Sequence, residues 1–165
     1  MKPIPPQDAH FLRAAEGWIE LGNHLEAFEE LERITPQWRA HPDVLKLRWE
    51  IYAKAKHWFA AMNVASGLVS LLPNEVNGWI HRSFALHELK RTGEARDLLL
   101  QAIAKFPKDA TISYNLACYE CQLSNLPQGR KWLEKAFALD PSRELKLNFL
   151  SDPDLEPLWK NSPPV

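Results

Sequence analysis

A period of 34 residues constrains this chain more than any other feature. Sliding the sequence along itself by that offset puts Ala27, Ala61, Ala95 and Gly129 in one column. Leu31, Ala65, Leu99 and Leu133 form a second, and Ile34, Leu68, Ala102 and Ala136 a third. A period held four times is the mark of one supersecondary unit stacked on copies of itself, each copy covering the apolar side of the next. The clearest copy runs from Val76 to Pro107 and reads as two amphipathic helices folded back on each other.

The other copies follow the same plan. Residues 1–7 hold three prolines and read as a disordered lead, with the first helix opening at Asp8, whose side chain can accept from the free N–H groups of a first turn. Phe11, Ala14, Ala15, Trp18 and Ile19 recur at helical spacing, and Gly22 and Asn23 end the segment. Pro36 arrives three places before the column of Pro73, Pro107 and Pro141, where this copy has Arg39, so its second helix is expected to stop early. Pro42 opens the second unit, Asp109 is expected to cap the fourth, and Pro127 sits in the first turn of its second helix. Gly67, inside a helix, is read as a point of close backbone packing. The small column is where two helices cross. Gly129 takes the alanine place there.

The units are therefore 8–41, 42–75, 76–109 and 110–141. The stretch 142–160 closes the stack with a helix carrying Leu145, Leu147, Phe149 and Leu150, onto which a short turn bearing Leu155, Leu158 and Trp159 tucks. Residues 161–165 read as a frayed tail. The expected fold is all-α: about four helical hairpins in a right-handed solenoid with a capping helix.

This pattern resembles the tetratricopeptide repeat (TPR). The resemblance rests on Trp79, Ser83 and Leu86 in a first helix, Ala95, Leu99 and Ala102 in a second, and Pro107 closing the unit, and it spans residues 8–141. It implies a non-catalytic module or adaptor that holds a peptide or helix of a partner protein in a concave groove lined by the first helix of each hairpin. Carried across, the groove residues are Arg13, Glu16, Lys46, Arg48, Glu50, Ile80, His81, Arg82, Phe84, His87, Tyr114, Asn115 and Cys118. A partner with a polar end near Glu16 and Glu50 and an apolar anchor at Phe84 and Tyr114 is expected. The clamp that some such proteins use for a C-terminal carboxylate is not matched. Its places hold Leu12, Glu16, Leu47, Asn77 and His81, and one repeat further along only Lys46 conforms.

Composition excludes several other classes. With 20 basic and 21 acidic residues the chain has no electrostatic footprint for nucleic acid or an anionic membrane. No run of about 18 apolar residues is present to span a bilayer, and the N-terminus lacks the apolar stretch of a secretion signal, so a cytoplasmic address is expected. There is no nucleophile elbow, phosphate loop or metalloprotease helix, and neither enzymatic activity nor a cofactor is expected.

Two constellations carry alternatives. Arg48 and Arg82, one period apart, could receive an anion in fork geometry, or could lie along the seam and pair with glutamates such as Glu50 or Glu88. Cys118 and Cys121, spaced by three on one helix face, could serve a metal- or redox-sensitive module together with His87, or could simply pack. A structural oligomerisation unit is the third reading, and the chain is expected to be a monomer or weak homo-oligomer.

Overall fold

The computed structural model describes residues 2–160, so Met1 and the tail expected at 161–165 lie outside the described residues. Among them the chain forms α1 (Pro6–Glu20), α2 (His24–Glu32), a 3-10 turn (Pro36–Trp38), α3 (Pro42–Lys54), α4 (Trp58–Leu71) and α5 (Val76–Glu88). There follow α6 (Thr92–Lys105), α7 (Ala110–Gln122), α8 (Leu126–Leu139), α9 (Arg143–Ser151), a second 3-10 turn (Pro153–Leu155) and α10 (Glu156–Trp159), with no strand. The first eight helices are four helix–turn–helix pairs. Every member of the three periodic columns is buried.

The period is also written in the backbone. Gly22, Lys56, Lys90 and Ser124, each 34 residues apart, are left-handed, with φ of 77°, 56°, 63° and 64°. The residue after each donates its N–H back to a carbonyl five places earlier: Asn23 to Trp18, His57 to Tyr52, Arg91 to Leu86 and Asn125 to Glu120. This is the Schellman closure of a helix C-terminus. The carbonyl of that same residue then accepts the first bond of the next helix, from Ala27, Ala61, Ala95 and Gly129. One short turn thus ends one helix, starts the next and fixes the small-residue column.

The helix ends explain the departures from strict repetition. The helix opens at Pro6, two residues earlier than Asp8, because a proline in the first turn lacks only an N–H that would have no helical partner and brings a helical φ. Asp8 is therefore not a cap. Its buried carboxylate reaches across to Thr35, accepting from the backbone N at 2.8 Å and from Oγ1 at 3.0 Å. α2 stops at Glu32, as Pro36 requires. Arg39 serves the carbonyls left open there, donating from Nε to Ile34 O at 2.8 Å and from its guanidinium to the carbonyl of Glu32. Asp109 caps α7, accepting from Ile112 N at 2.9 Å.

The chain divides into two compact units, one up to Ala85 and one from Leu86 onward. In the first, Ala15, Ala27, Leu31, Ile34, Val44, Leu47 and Ile51 form the core shared by α1, α2 and α3. The close helix approach expected at Gly67 occurs instead at Gly78. A Cβ on Gly67 would lie 3.8 Å from Leu45 Cδ1, an ordinary contact, whereas one on Gly78 would meet Val69 N at 3.1 Å and Leu68 Cβ at 3.2 Å.

In the second unit α6, α7 and α8 pack in sequence, with Ile112, Leu116, Ala117 and Tyr119 of α7 buried. Gly129 is required there: a Cβ would stand 2.8 Å from Cys121 Sγ. The closing segment differs from expectation. α9 buries no residue fully: Leu145 and Phe149 are half-buried, with the Phe149 ring edge-on to Phe137 of α8, while Leu147 and Leu150 stay 53% and 60% exposed. Leu155 and Leu158 are the buried residues, and they pack on α7 and α8 rather than onto α9.

Candidate functional site

In the first unit, the side chains expected to meet a partner come from α1, α3 and α5. Glu16, Ile19 and Glu20 of α1 face Asp43, Lys46, Leu47 and Glu50 of α3 across an open cleft of about 330 Å³. Four carboxylates and one ammonium line it. That ammonium is shared, since Lys46 Nζ also lies 3.2 Å from Glu75. Partial burial raises the Glu50 carboxyl above its ordinary range, and the neighbouring charge of Glu16 adds to this while Lys54 opposes it. The cleft thus holds negative charge that is not fully compensated. Arg13 stands exposed on α1 outside it.

Aromatic rings occupy the rest of this face. His81 of α5 stacks on Trp49 of α3, with centroids 3.7 Å apart and planes 17° from parallel. Burial lowers the His81 pKa to about 4, so the ring is neutral at physiological pH. Phe84 rests edge-on against Trp58, centroids 5.6 Å apart, and remains 38% exposed. Ile80, four residues earlier on α5, is half-buried. Trp49 and Trp58 supply this support, and neither was among the expected site residues. Their signal, a large ring per helix, is shared with core filler.

Arg48 and Arg82 do not present two free guanidinium forks. Arg48 donates to Glu32 at 2.7 Å and lies 5.6 Å from the Phe28 ring centroid, so its partner is Glu32 rather than Glu50 or Glu88. Glu32 receives Arg39 as well, at 2.9 Å. The Nε of Arg82 is buried with no hydrogen-bond partner among the described residues.

In the second unit, residues expected to be open to a partner are covered by the chain itself. The segment Asp152–Leu155 lies on α7, and α10 carries the chain on to α8. Tyr114 Oη donates to Asp152 at 2.9 Å, with Cys118 Sγ 3.6 Å from the same carboxylate. Asp154 lies 3.0 Å from His87 Nε2, and its carbonyl accepts from Gln122 Nε2 at 3.3 Å. The other nitrogen of His87 is 3.0 Å from Thr92 Oγ1, and its ring stacks on Tyr119 at 5.0 Å. Asn115 is half-buried on the same helix. Asp152 and Asp154 escaped sequence reading because a partner 32 to 67 residues away leaves no periodic trace. The visible signal was two aspartates around a proline, followed by leucines three apart.

This arrangement removes the chemistry a cysteine pair would need. Burial pushes the Cys118 thiol well above its ordinary pKa, with Asp152 adding to the shift. Burial also raises Cys121, to about 11. A thiolate is the reactive and metal-binding form, and neither residue is one at neutral pH. Both ring nitrogens of His87 are engaged, and among the described residues no group of three or more His, Cys, Asp or Glu side chains is placed to hold a metal ion. No described helix is long and apolar enough to cross a membrane.

No protein-family profile matches the chain, and no curated protein matches it. Solved structures do. MamA from Desulfovibrio magneticus RS-1 (residue 41 to the end) superposes with a TM-score of 0.74 at 19% identity, over 96% of this chain and 92% of that one. The MamA RS-1 ArsTM double mutant gives 0.74 at 20% identity, over 92% and 89%. The thermophilic TPR protein TTC0263 of Thermus thermophilus gives 0.73 at 19%, over 93% and 81%. At such identities the likeness is one of fold, and it agrees with the 34-residue turn and column pattern: this chain is a tetratricopeptide-repeat-type α-solenoid.

Proposed function

We propose that this chain is a non-catalytic protein-interaction module, working in the cytoplasm, whose first unit binds a partner segment across α1, α3 and α5. The segment is basic at one end, where Glu16, Glu20, Asp43 and Glu50 line the cleft, and apolar at the other, where Ile80 and Phe84 stand. The observation that carries this reading is Phe84, a large ring left exposed on a helix whose neighbouring rings are fixed by stacking. Interface anchors are typically aromatic groups supported from behind, while a charged rim sets partner choice and encounter rate.

Selection from a displayed peptide library tests this. Enriched peptides should pair lysine or arginine with an aliphatic or aromatic residue. Phe84→Ala should weaken a selected peptide tenfold or more, a loss of at least about 1.4 kcal/mol. Glu50→Lys should weaken it chiefly at low salt. Enrichment of acidic peptides, or affinity untouched by both substitutions in a protein of unchanged helicity, would overturn the reading.

A further inference from the structure

The face of α7 in the second unit has a different occupant and a different chemistry. Its polar groups are donors: the Tyr114 hydroxyl, the Gln122 amide and the His87 ring from the end of α5. Tyr114 and His87 meet two carboxylates of the chain, those of Asp152 and Asp154, and Gln122 meets the backbone carbonyl of Asp154; leucines at the third and sixth places after Asp152 follow, almost wholly removed from water. The 3-10 turn that carries Asp154 and Leu155 sits on α7, and α10 continues onto α8. The part of the chain joining this segment to α8 is α9, which buries no residue fully and meets α8 through Phe149, edge-on to Phe137 with centroids 5.9 Å apart. The segment is therefore seated by its own side chains, as a bound peptide is, and α9 acts as its tether.

We infer that the α7 face is a peptide-binding site for an acidic-x-acidic-Leu-x-x-Leu segment, and that residues 152–158 are its resident intramolecular ligand. A partner segment of that pattern displaces the resident one. The site is independent of the one proposed for the first unit: it takes carboxylates where that unit takes cations. Phe84 and Cys118 stand one period apart, and the second is only 5% exposed, with its Sγ against Asp152. Displacement therefore uncovers Cys118, which gives the opening a chemical readout.

The probe is a fluorescein-labelled peptide of residues 151–160, titrated into the full chain. In wild type the resident segment competes. Asp152→Ala with Asp154→Ala releases that segment, and the variant should bind the peptide at least tenfold more tightly than wild type does. A peptide with both aspartates changed to alanine should not bind. Alkylation of Cys118, followed by mass spectrometry, should be slow in wild type, faster in the variant, and slow again when the peptide is added. Hydrogen exchange should quicken over residues 152–160 while α7 and α8 stay protected. Equal peptide binding by variant and wild type would overturn the inference. So would loss of protection in α7 and α8 together with 152–160, because the segment would then be a fixed part of the last repeat. If the double variant does not fold, Asp154→Ala alone should show a smaller gain, and no gain there is equally fatal.

Discussion

The two units place equivalent helix faces in opposite conditions. In the first, α5 leaves Phe84 partly exposed, and α1 and α3 leave a carboxylate-lined cleft open. In the second, the same face of α7 is sealed by residues 152–158. The backbone does not cause the difference, since the turns, columns and first hydrogen bonds are the same in both. A few side chains do. Glu16 and Glu50 leave negative charge that Lys46 and Lys54 answer only in part, whereas Tyr114, Gln122 and His87 offer donors that a later stretch of the same chain satisfies. A repeat scaffold thus fixes where a surface is and leaves its occupancy to residues that the repeat does not constrain.

The contrast can be probed by substitution, and the largest expected effect concerns packing. Gly129→Ala forces a methyl against Cys121 and should destabilise the protein by about 1–3 kcal/mol. Gly67→Ala, in the first unit, meets only an ordinary contact and should stabilise by up to about 1 kcal/mol. Chemical denaturation of both variants measures the pair, and equal signs would break the distinction. Next comes pH. A histidine whose folded pKa lies below its unfolded value binds its proton more readily when unfolded, so stability falls as pH drops from about 6.5 towards 4. The loss attributable to His81 should be about 1–2 kcal/mol after allowance for solvent screening at its exposed edge. His81→Phe should flatten the thermal-melting profile over that window. An unchanged profile would mean that the Trp49 stack does not hold the ring neutral.

The smallest effect tests what the units share. Lys56→Gly and Ser124→Gly relieve left-handed strain in turns of the two units, and each should add up to about 1 kcal/mol. Similar gains, read from denaturation midpoints, would confirm that the turns are energetically alike. A gain in one unit only would locate a difference in the backbone after all.

Much of the fold was legible because it is local or periodic. The small-residue column, the early stop before Pro36 and the cap at Asp109 follow from sterics and orphan backbone groups within a few residues. The errors concern partners distant in sequence. Asp8 looks like a cap, yet serves Thr35. Arg48 has several glutamates within plausible reach and takes Glu32. Gly67 and Gly78 look alike in a helical pattern, and only the neighbouring helix tells them apart. The apolar spacing of α9 promised a buried cap, but the fully buried residues are Leu155 and Leu158, while α9 packs Phe149 on Phe137 and leaves Leu147 and Leu150 exposed. Of the expected site, Phe84 and the Glu16–Glu50 cleft are open, while Tyr114, Cys118 and His87 are already engaged.

The short, largely exposed α9 has one last consequence. On the inference drawn for α7, a segment tethered this closely competes at an effective concentration of up to roughly millimolar, whatever the protein's dilution. A rival from outside must outbid that standing supply, so weak or chance matches are rejected. Lengthening the leash by a few glycines would lower the threshold without altering one atom of the contact.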